Sequence, residues 1–435
     1  MEKAALPLNA DQTLAADGFF EFLLNDSQKE LNISGPGGVG KTYLMGYSID
    51  EVIPRYHAAC EILGVKPKYD GVVMTATTNK AADVLSQATG RSVGTVHSFF
   101  NLKVVDDYAT GTQKISKTKD WMIHQNKIIF IDECSMIDKY LIEFIREGTM
   151  QCKIIYVGDH CQMAPVREKI SKVYASNLPF FELREPMRTS DPHLHQLNNT
   201  LRGVVETGLF TGLQLVPGVI DHLDDVQFEQ EINDHFLDPL HKHAILAYTN
   251  DRVIMYNSYI RQIRGLPPEF QSGEYVVNNS AIRLRKGMIS VEEEVLIRNM
   301  DPISSMLDVE AGVQVEVRYC DIESQFGELH ESVPVPVNRQ HYSDLLRYYG
   351  RTKNWNRYFF LKNTCPDFRQ RDARTVYKAQ GSSYDTSYID LNDISTCRDA
   401  DQAARLLYVG ASRARYRVAF YGVLAEKFGY LIQPE

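Results

Sequence analysis

The seven cysteines of this chain (Cys60, Cys134, Cys152, Cys161, Cys320, Cys365 and Cys397) are scattered without a single Cys-x-x-Cys pair. That absence excludes a zinc module and the disulfide framework of a small secreted domain, and it fits a reducing cytoplasm. No apolar run reaches the roughly 18 residues that a membrane-spanning helix needs, and no charged-then-apolar leader opens the chain, so neither insertion nor secretion is expected. Repeats and low-complexity tracts are missing too, which excludes solenoids and leaves disorder only to the ends. Basic residues are in the minority: 47 Lys and Arg face 56 Asp and Glu, a formal charge of -9. Whole-chain charge governs solubility and steering, however, and leaves room for a local basic groove. What remains is ordinary globular material, 44% hydrophobic and 24% charged over 435 residues. Since single cores stop growing at roughly 250 to 300 residues, two to three domains are expected.

The most informative stretch is GPGGVGKT, Gly35 to Thr42, set between the apolar run LNIS and a helix-like segment that begins KTYLMGYS. Gly35, Pro36, Gly37, Gly38, Val39 and Gly40 form a loop whose glycines let backbone N–H groups close around phosphate oxygens. Lys41 reaches the β- and γ-phosphates, and the Thr42 hydroxyl is a ligand for Mg²⁺. KIIFIDE, Lys127 to Glu133, reads as a buried parallel strand that delivers Asp132 and Glu133 at its carboxyl end. One carboxylate holds the metal and the other orients water, which makes a Mg²⁺-dependent nucleoside triphosphatase the expected chemistry.

Strands and helices alternate through the first part: a helix from Ala10 to Leu24, then strands at Leu31 to Ser34, Val72 to Ala76, Lys127 to Asp132 and Lys153 to Gly158. This is the βαβ rhythm of a doubly wound parallel sheet. Polar residues between Phe99 and Gln125 interrupt it and read as an inserted β-hairpin. A second α/β segment starts with AILAY near Ala244 and resumes after Arg374. From about Gly265 to Gln370 the pieces EYVVNN, GVQVEVRYC and SVPVPVN, with the aromatic tract RYYGRTKNWNRYFFL, suggest a small β-barrel-like insertion.

Phosphoanhydride cleavage also wants a water-orienting neutral group and cationic fingers. Gln162, just past the Asp159 end of a strand, suits the first role, and Arg188 in ELREPMRTS and Arg413 in YVGASRAR suit the second.

Ten segments stand in an order that resembles the superfamily 1 DNA helicases of the RecD/Pif-like branch. They are Gln12, GPGGVGKT, TATTNKAA, GTVHS, FIDECSMID, VGDHCQMAPV, the arginine of EPMRTS, AYTNDRVIMYN, TVYKAQGSSYD and LLYVGASRAR. The resemblance implies an α/β fold of two RecA-like P-loop lobes with parallel sheets. Residues 1–98 and 125–187 would form the first lobe and 188–264 and 371–435 the second, with a hairpin wedge at 99–124 and an SH3-like β insertion at 265–370. It assigns Gln12 to adenine recognition, Tyr43 and Gly381 to the nucleotide, Asp132 to Mg²⁺, Glu133 to water activation, and Gln162, Arg188 and Arg413 to the γ-phosphate of ATP. Single-stranded DNA would meet Thr77, Lys80, His97, Thr249, Asn250, Lys378 and Gln380, with Tyr108 stacking at the duplex junction or packing on the lobe. Such contacts hold phosphates and read bases little. An ATP-dependent 5′ to 3′ translocase that unwinds duplex junctions is implied, monomeric and cytoplasmic, acting in replication or recombination alongside a single-strand binding protein or other replication proteins. The rival is a DNA-dependent ATPase that displaces bound proteins without unwinding. Two positions depart from relatives: Tyr377 stands where a histidine is common, and Met187 stands where other branches place a tyrosine.

Overall fold

The computed structural model describes residues 7–165, 168, 170–185, 191–284, 287–324 and 327–434. KIIFID and KIIYVG have no polar face, and as Lys127–Asp132 and Lys153–Gly158 they lie buried on both sides in the middle of a sheet. That sheet has the order Phe180–Glu182, Glu30–Ser34, Lys153–Gly158, Lys127–Asp132, Gly71–Ala76, Gly94–Thr95, and every pairing in it is parallel. The helix Ala10–Leu24, started by an Asn9/Gln12 capping box, buries Phe19 and Phe22 against it.

A second parallel sheet runs Ile220–Leu223, Ala414–Tyr421, Tyr384–Asp390, His243–Ala247, Ala373–Thr375. The fold is therefore α/β with two parallel sheets. An antiparallel sheet is inserted into the second, built on the long strand Val313–Ser324 with Ser305–Glu310, Glu294–Met300 and Leu329–Pro336 around it. The segment between Phe99 and Gln125 is the expected hairpin, Leu102–Asp107 with Thr112–Lys117.

The aromatic tract departs from its β-rich reading: it forms the helices Arg339–Arg351 and Trp355–Thr364, whose N-cap side chains, Asn338 and Asn354, each accept a backbone N–H three residues on. Capping and the helical spacing of buried Tyr342 and Tyr349 outweigh the strand preference of aromatic residues.

The chain divides into two compact units. One takes Met1–Val104, Ile115–Pro192 and Leu201–Gly208, and the other takes Val105–Lys114, His193–Thr200 and Leu209–Glu435. The tip of the hairpin thus belongs to the second unit, where Tyr108 meets Phe359 edge-on at 5.1 Å and Asn363 donates to Asp106 at 2.7 Å. All seven cysteines are buried and unbridged. No helix among the described residues is long and apolar enough to cross a membrane.

Candidate functional site

Parallel pairing brings the carboxyl ends of three neighbouring strands to one edge of the first sheet, and each ends at or leads into residues singled out from the sequence. Glu30–Ser34 leads into the glycine loop and the helix Lys41–Tyr47. Gly38 and Gly40 take φ of +88° and +80°, a left-handed backbone that only glycine adopts without strain. A Cβ at Gly37 or Gly38 would meet nothing within 4 Å, so the loop faces open space. Gly35, by contrast, is fixed: a Cβ there would lie 2.5 Å from the carbonyl of Leu183. The Lys41 ammonium donates to the carbonyls of Gly35 and Pro36 at 2.6 and 2.8 Å, folded onto its own loop. Thr42 and Tyr43 follow in the first helical turn, half-buried.

Gln12 is fully buried. Its amide donates to the carbonyl of Val39 at 3.0 Å and accepts the backbone N–H of Asn9 at 3.2 Å, so it braces the loop from beneath.

Asp132 ends the strand Lys127–Asp132, and its carboxyl is pushed up to about 7 by burial and by the Glu133 carboxylate, with Lys41 pulling the other way. A carboxyl crowded in this manner gains from a cation beside it, which fits a metal ligand. Glu133 sits at φ 54°, strained for a residue with a side chain. Thr77 holds it there: its hydroxyl donates to the Glu133 carbonyl at 3.1 Å, while its N–H donates to the Asp132 carbonyl at 3.3 Å. Gln162 is buried in the turn after Lys153–Gly158, its N–H donating to the Asp159 carbonyl at 3.1 Å.

Sequence reasoning missed Arg202. From the helix Pro192–Thr207 it donates to Asp159 at 2.6 Å and Glu182 at 2.9 Å and lies 3.2 Å from Glu206. His160 beside it meets the Ser34 hydroxyl at 2.8 Å, one residue before the glycine loop. The cluster roots both the loop and the Gln162 turn. No local pattern marks an arginine 43 residues from its carboxylate.

Among the remaining candidates of the first unit, Lys80 is half-buried in the helix Asn79–Thr89. His97 lies in the short helix Val96–Phe99, and burial depresses its pKa. Arg188 lies outside the described residues.

In the second unit Thr249 caps the helix Asn250–Ile263, and its hydroxyl donates to Asp393 at 2.9 Å. The Asn250 side-chain oxygen accepts from Arg369 at 3.0 Å. Lys378, its charge disfavoured by burial, lies 3.2 Å from Glu292. Gln380 ends the turn Val376–Ala379, and Gly381 follows at φ +70°. Asn250, Lys378 and Arg369 line one small cavity. Arg413 caps the helix Ala400–Ser412 and is bound to that helix end, donating to the Val409 carbonyl at 3.3 Å and the Ser412 hydroxyl at 2.8 Å. Tyr108 is 53% exposed despite its contact with Phe359.

Residues 25–168 match an AAA domain family model, and residues 372–421 match a UvrD-like helicase C-terminal domain. The ATP-dependent DNA helicase dda of Enterobacteria phage T4 is 24% identical over 441 residues, spanning 92% of this chain and 95% of that protein. Among solved structures, the Pif1 helicase from Bacteroides in complex with ADP-AlF3 and ssDNA superposes with a TM-score of 0.53 at 12% identity, covering 99% of this chain and 95% of that one. A second Pif1 structure, of two coordinating helicases at forked dsDNA, gives 0.53 at 13% over the same shares.

Proposed function

Because the chain belongs to the superfamily 1 helicases, we propose that it is an ATP-driven motor that travels 5′ to 3′ along single-stranded DNA and parts the duplex at a junction. The observation that carries this reading is the meeting of the glycine loop, Lys41, Asp132, Glu133 and Gln162 at one sheet edge. ATP, when bound, supplies the phosphoanhydride whose hydrolysis drives the motor, and Mg²⁺ would neutralise charge on its phosphates. The glycine loop and Lys41 would hold the phosphates, Lys41 exchanging two carbonyls for phosphate oxygens. Thr42 and Asp132 would hold the metal. Glu133, with its backbone fixed by Thr77, orients the attacking water and takes up its proton, and Gln162 reads the state of the terminal phosphate. Arg188 and Arg413 are proposed as the cationic fingers, and for this Arg413 has to leave its helix end. The half-buried positions Thr77, Lys80, His97, Thr249, Lys378 and Gln380, with the exposed Asn250, are the proposed strand contacts. The hairpin with Tyr108 is the proposed wedge, and the antiparallel insertion is read as SH3-like. Replication or recombination of DNA is the proposed setting.

The test is ATP hydrolysis with and without a single-stranded oligonucleotide, in the wild type and in Glu133→Gln, followed by strand separation on forks carrying only a 5′ or only a 3′ tail. We expect hydrolysis stimulated by DNA, lost by about 10²- to 10³-fold in the variant, and separation of the 5′-tailed fork. Hydrolysis indifferent to DNA overturns the motor. Separation of the 3′-tailed fork alone overturns the polarity. DNA-stimulated hydrolysis with no separation on either fork favours the protein-displacing ATPase.

A further inference from the structure

Within the second unit, the helix Asn250–Ile263, the start of the helix Arg339–Arg351 and the stretch 366–370 enclose a groove of about 1060 Å³. Its walls carry Arg261, Arg339, Arg347 and Arg369 against Asp251 and Asp367, a positive lining on a chain of formal charge -9. Three of these arginines are paired. Arg261 holds Glu274 at 2.5 and 3.0 Å, Arg347 lies 3.1 Å from Asp344, and Arg369 lies 3.2 Å from Asp367.

Arg339 is different. Of its five N–H donors, one is used among the described residues, on the carbonyl of Phe368, and the guanidinium lies 4.9 Å from the centre of the Phe270 ring. No carboxylate among the described residues lies within ion-pair distance of it. Burial pulls it below the ordinary arginine range; the Asp367 carboxylate works against that pull, and Arg369 and Arg261 add to it. Arg339 is part-exposed to the groove, and a guanidinium with one carbonyl, one ring face and only the more distant Asp367 against two neighbouring arginines has donors to spare, which a group of opposite charge entering the groove would take up.

The shape of the surroundings separates two kinds of anion. Strand-binding grooves pair cations with open aromatic faces on which bases stack. Here Phe270, Tyr342 and Phe368 are turned inward, at 4%, 8% and 2% exposure. Beside its arginines the groove offers aliphatic surface, Ile254, 51% exposed, and Leu346, half-buried, among neutral polar side chains such as Ser258, Gln262 and Gln340. We propose that this groove docks an acidic segment of a partner protein, one that mixes Asp or Glu with aliphatic side chains and seats a carboxylate on Arg339. The inference rests on the second unit alone and stands apart from the motor reading.

The experiment is fluorescence anisotropy on the intact chain with three labelled probes: a peptide of about ten residues mixing Asp and Glu with Leu and Ile, its Asn/Gln copy, and an oligothymidine. Charge-assisted, bidentate contacts lead us to expect the acidic peptide to bind at least about tenfold tighter than its neutral copy, and to lose about tenfold in Arg339→Gln and in Arg347→Glu. Arg347 is 61% exposed, so its reversal keeps the fold and decides the matter alone if Arg339→Gln does not fold. Circular dichroism and thermal unfolding, unchanged in Arg347→Glu, report an intact protein. Absence of saturable binding by the acidic peptide, equal binding of the neutral copy, or a loss in the variants confined to oligothymidine would each overturn the proposal, the last in favour of a nucleic-acid strand.

Discussion

Glu133 owes its position to a residue 56 places away: the Thr77 hydroxyl on its carbonyl holds a left-handed backbone that its own side chain disfavours. Removing that bond while keeping the shape should let the carboxylate drift. We expect Thr77→Val to lower kcat for ATP about ten- to a hundredfold with little change in KM, since small displacements of a catalytic group are felt at this scale. Thr77→Ser should restore most of the rate, and steady-state kinetics of the two variants check both statements. A second buried group makes a statement about stability. Lys153 is 1% exposed, donates to the Asn25 and Gln28 carbonyls, and is pulled down to about 8 by burial. The unfolded chain therefore binds this proton more tightly, so the charged lysine weakens the fold and stability should rise as pH climbs from about 8 toward 10.5. The gain over that window is at most about 3 kcal/mol. Urea unfolding at two pH values should show the rise flattened in Lys153→Met relative to wild type. At this scale the phosphate loop and the two carboxylates were legible, because their chemistry demands fixed residues at fixed spacing. Thr77 was legible as a polar residue after a strand but not as the support of Glu133, and Arg202 was not legible at all. Hydrogen bonds across 43 to 56 residues depend on which strands pair, and no local pattern encodes that.

The hairpin was readable as an element because a polar run with a central glycine separates two alternating stretches. Where it rests was not readable. Gly111, at φ +70°, lies against Trp355, whose ring would be 2.3 Å from any Cβ placed there. Tyr108 on Phe359 and Asp106 under Asn363 complete the seat. If the hairpin is the wedge, its stiffness comes from this seat as much as from its own two strands. Gly111→Val should unseat it, and Trp355→Ala should loosen it at a stability cost of about 1 to 3 kcal/mol. In both variants we expect DNA-stimulated ATP hydrolysis to persist while strand separation on a fork falls several-fold, measured side by side on one preparation. The helix that forms the seat, Trp355–Thr364, and its neighbour Arg339–Arg351 depart from the β-rich reading of the aromatic tract. The two asparagine caps, Asn338 and Asn354, were the signal that would have corrected it.

Across the molecule the two parallel sheets followed from buried apolar runs at βαβ spacing, whereas the order of strands within each sheet did not, since order is set by crossovers rather than by any strand's own residues. Charge is distributed with a consequence for acid. His97, His124, His160 and His243 all have pKa values lowered by burial. Each is kept neutral by the fold, so each contributes stability that is present above the ordinary histidine value near 6.5 and lost as pH falls below it. Thermal unfolding should show Tm dropping between about pH 6.5 and 5, offset in part by Asp132, whose raised carboxyl takes up a proton in the folded state over the same range, and replacing His243 with a neutral isostere should blunt part of that drop. The buried, unbridged cysteines carry a different consequence. Four of them, Cys60, Cys134, Cys152 and Cys161, lie in the first unit, and three, Cys320, Cys365 and Cys397, in the second. A thiol-alkylating reagent meets none of them until the surrounding packing opens, so the chain carries its own clock for local unfolding: peptide-resolved mass spectrometry of a timed alkylation would report which unit loosens first, with no label introduced.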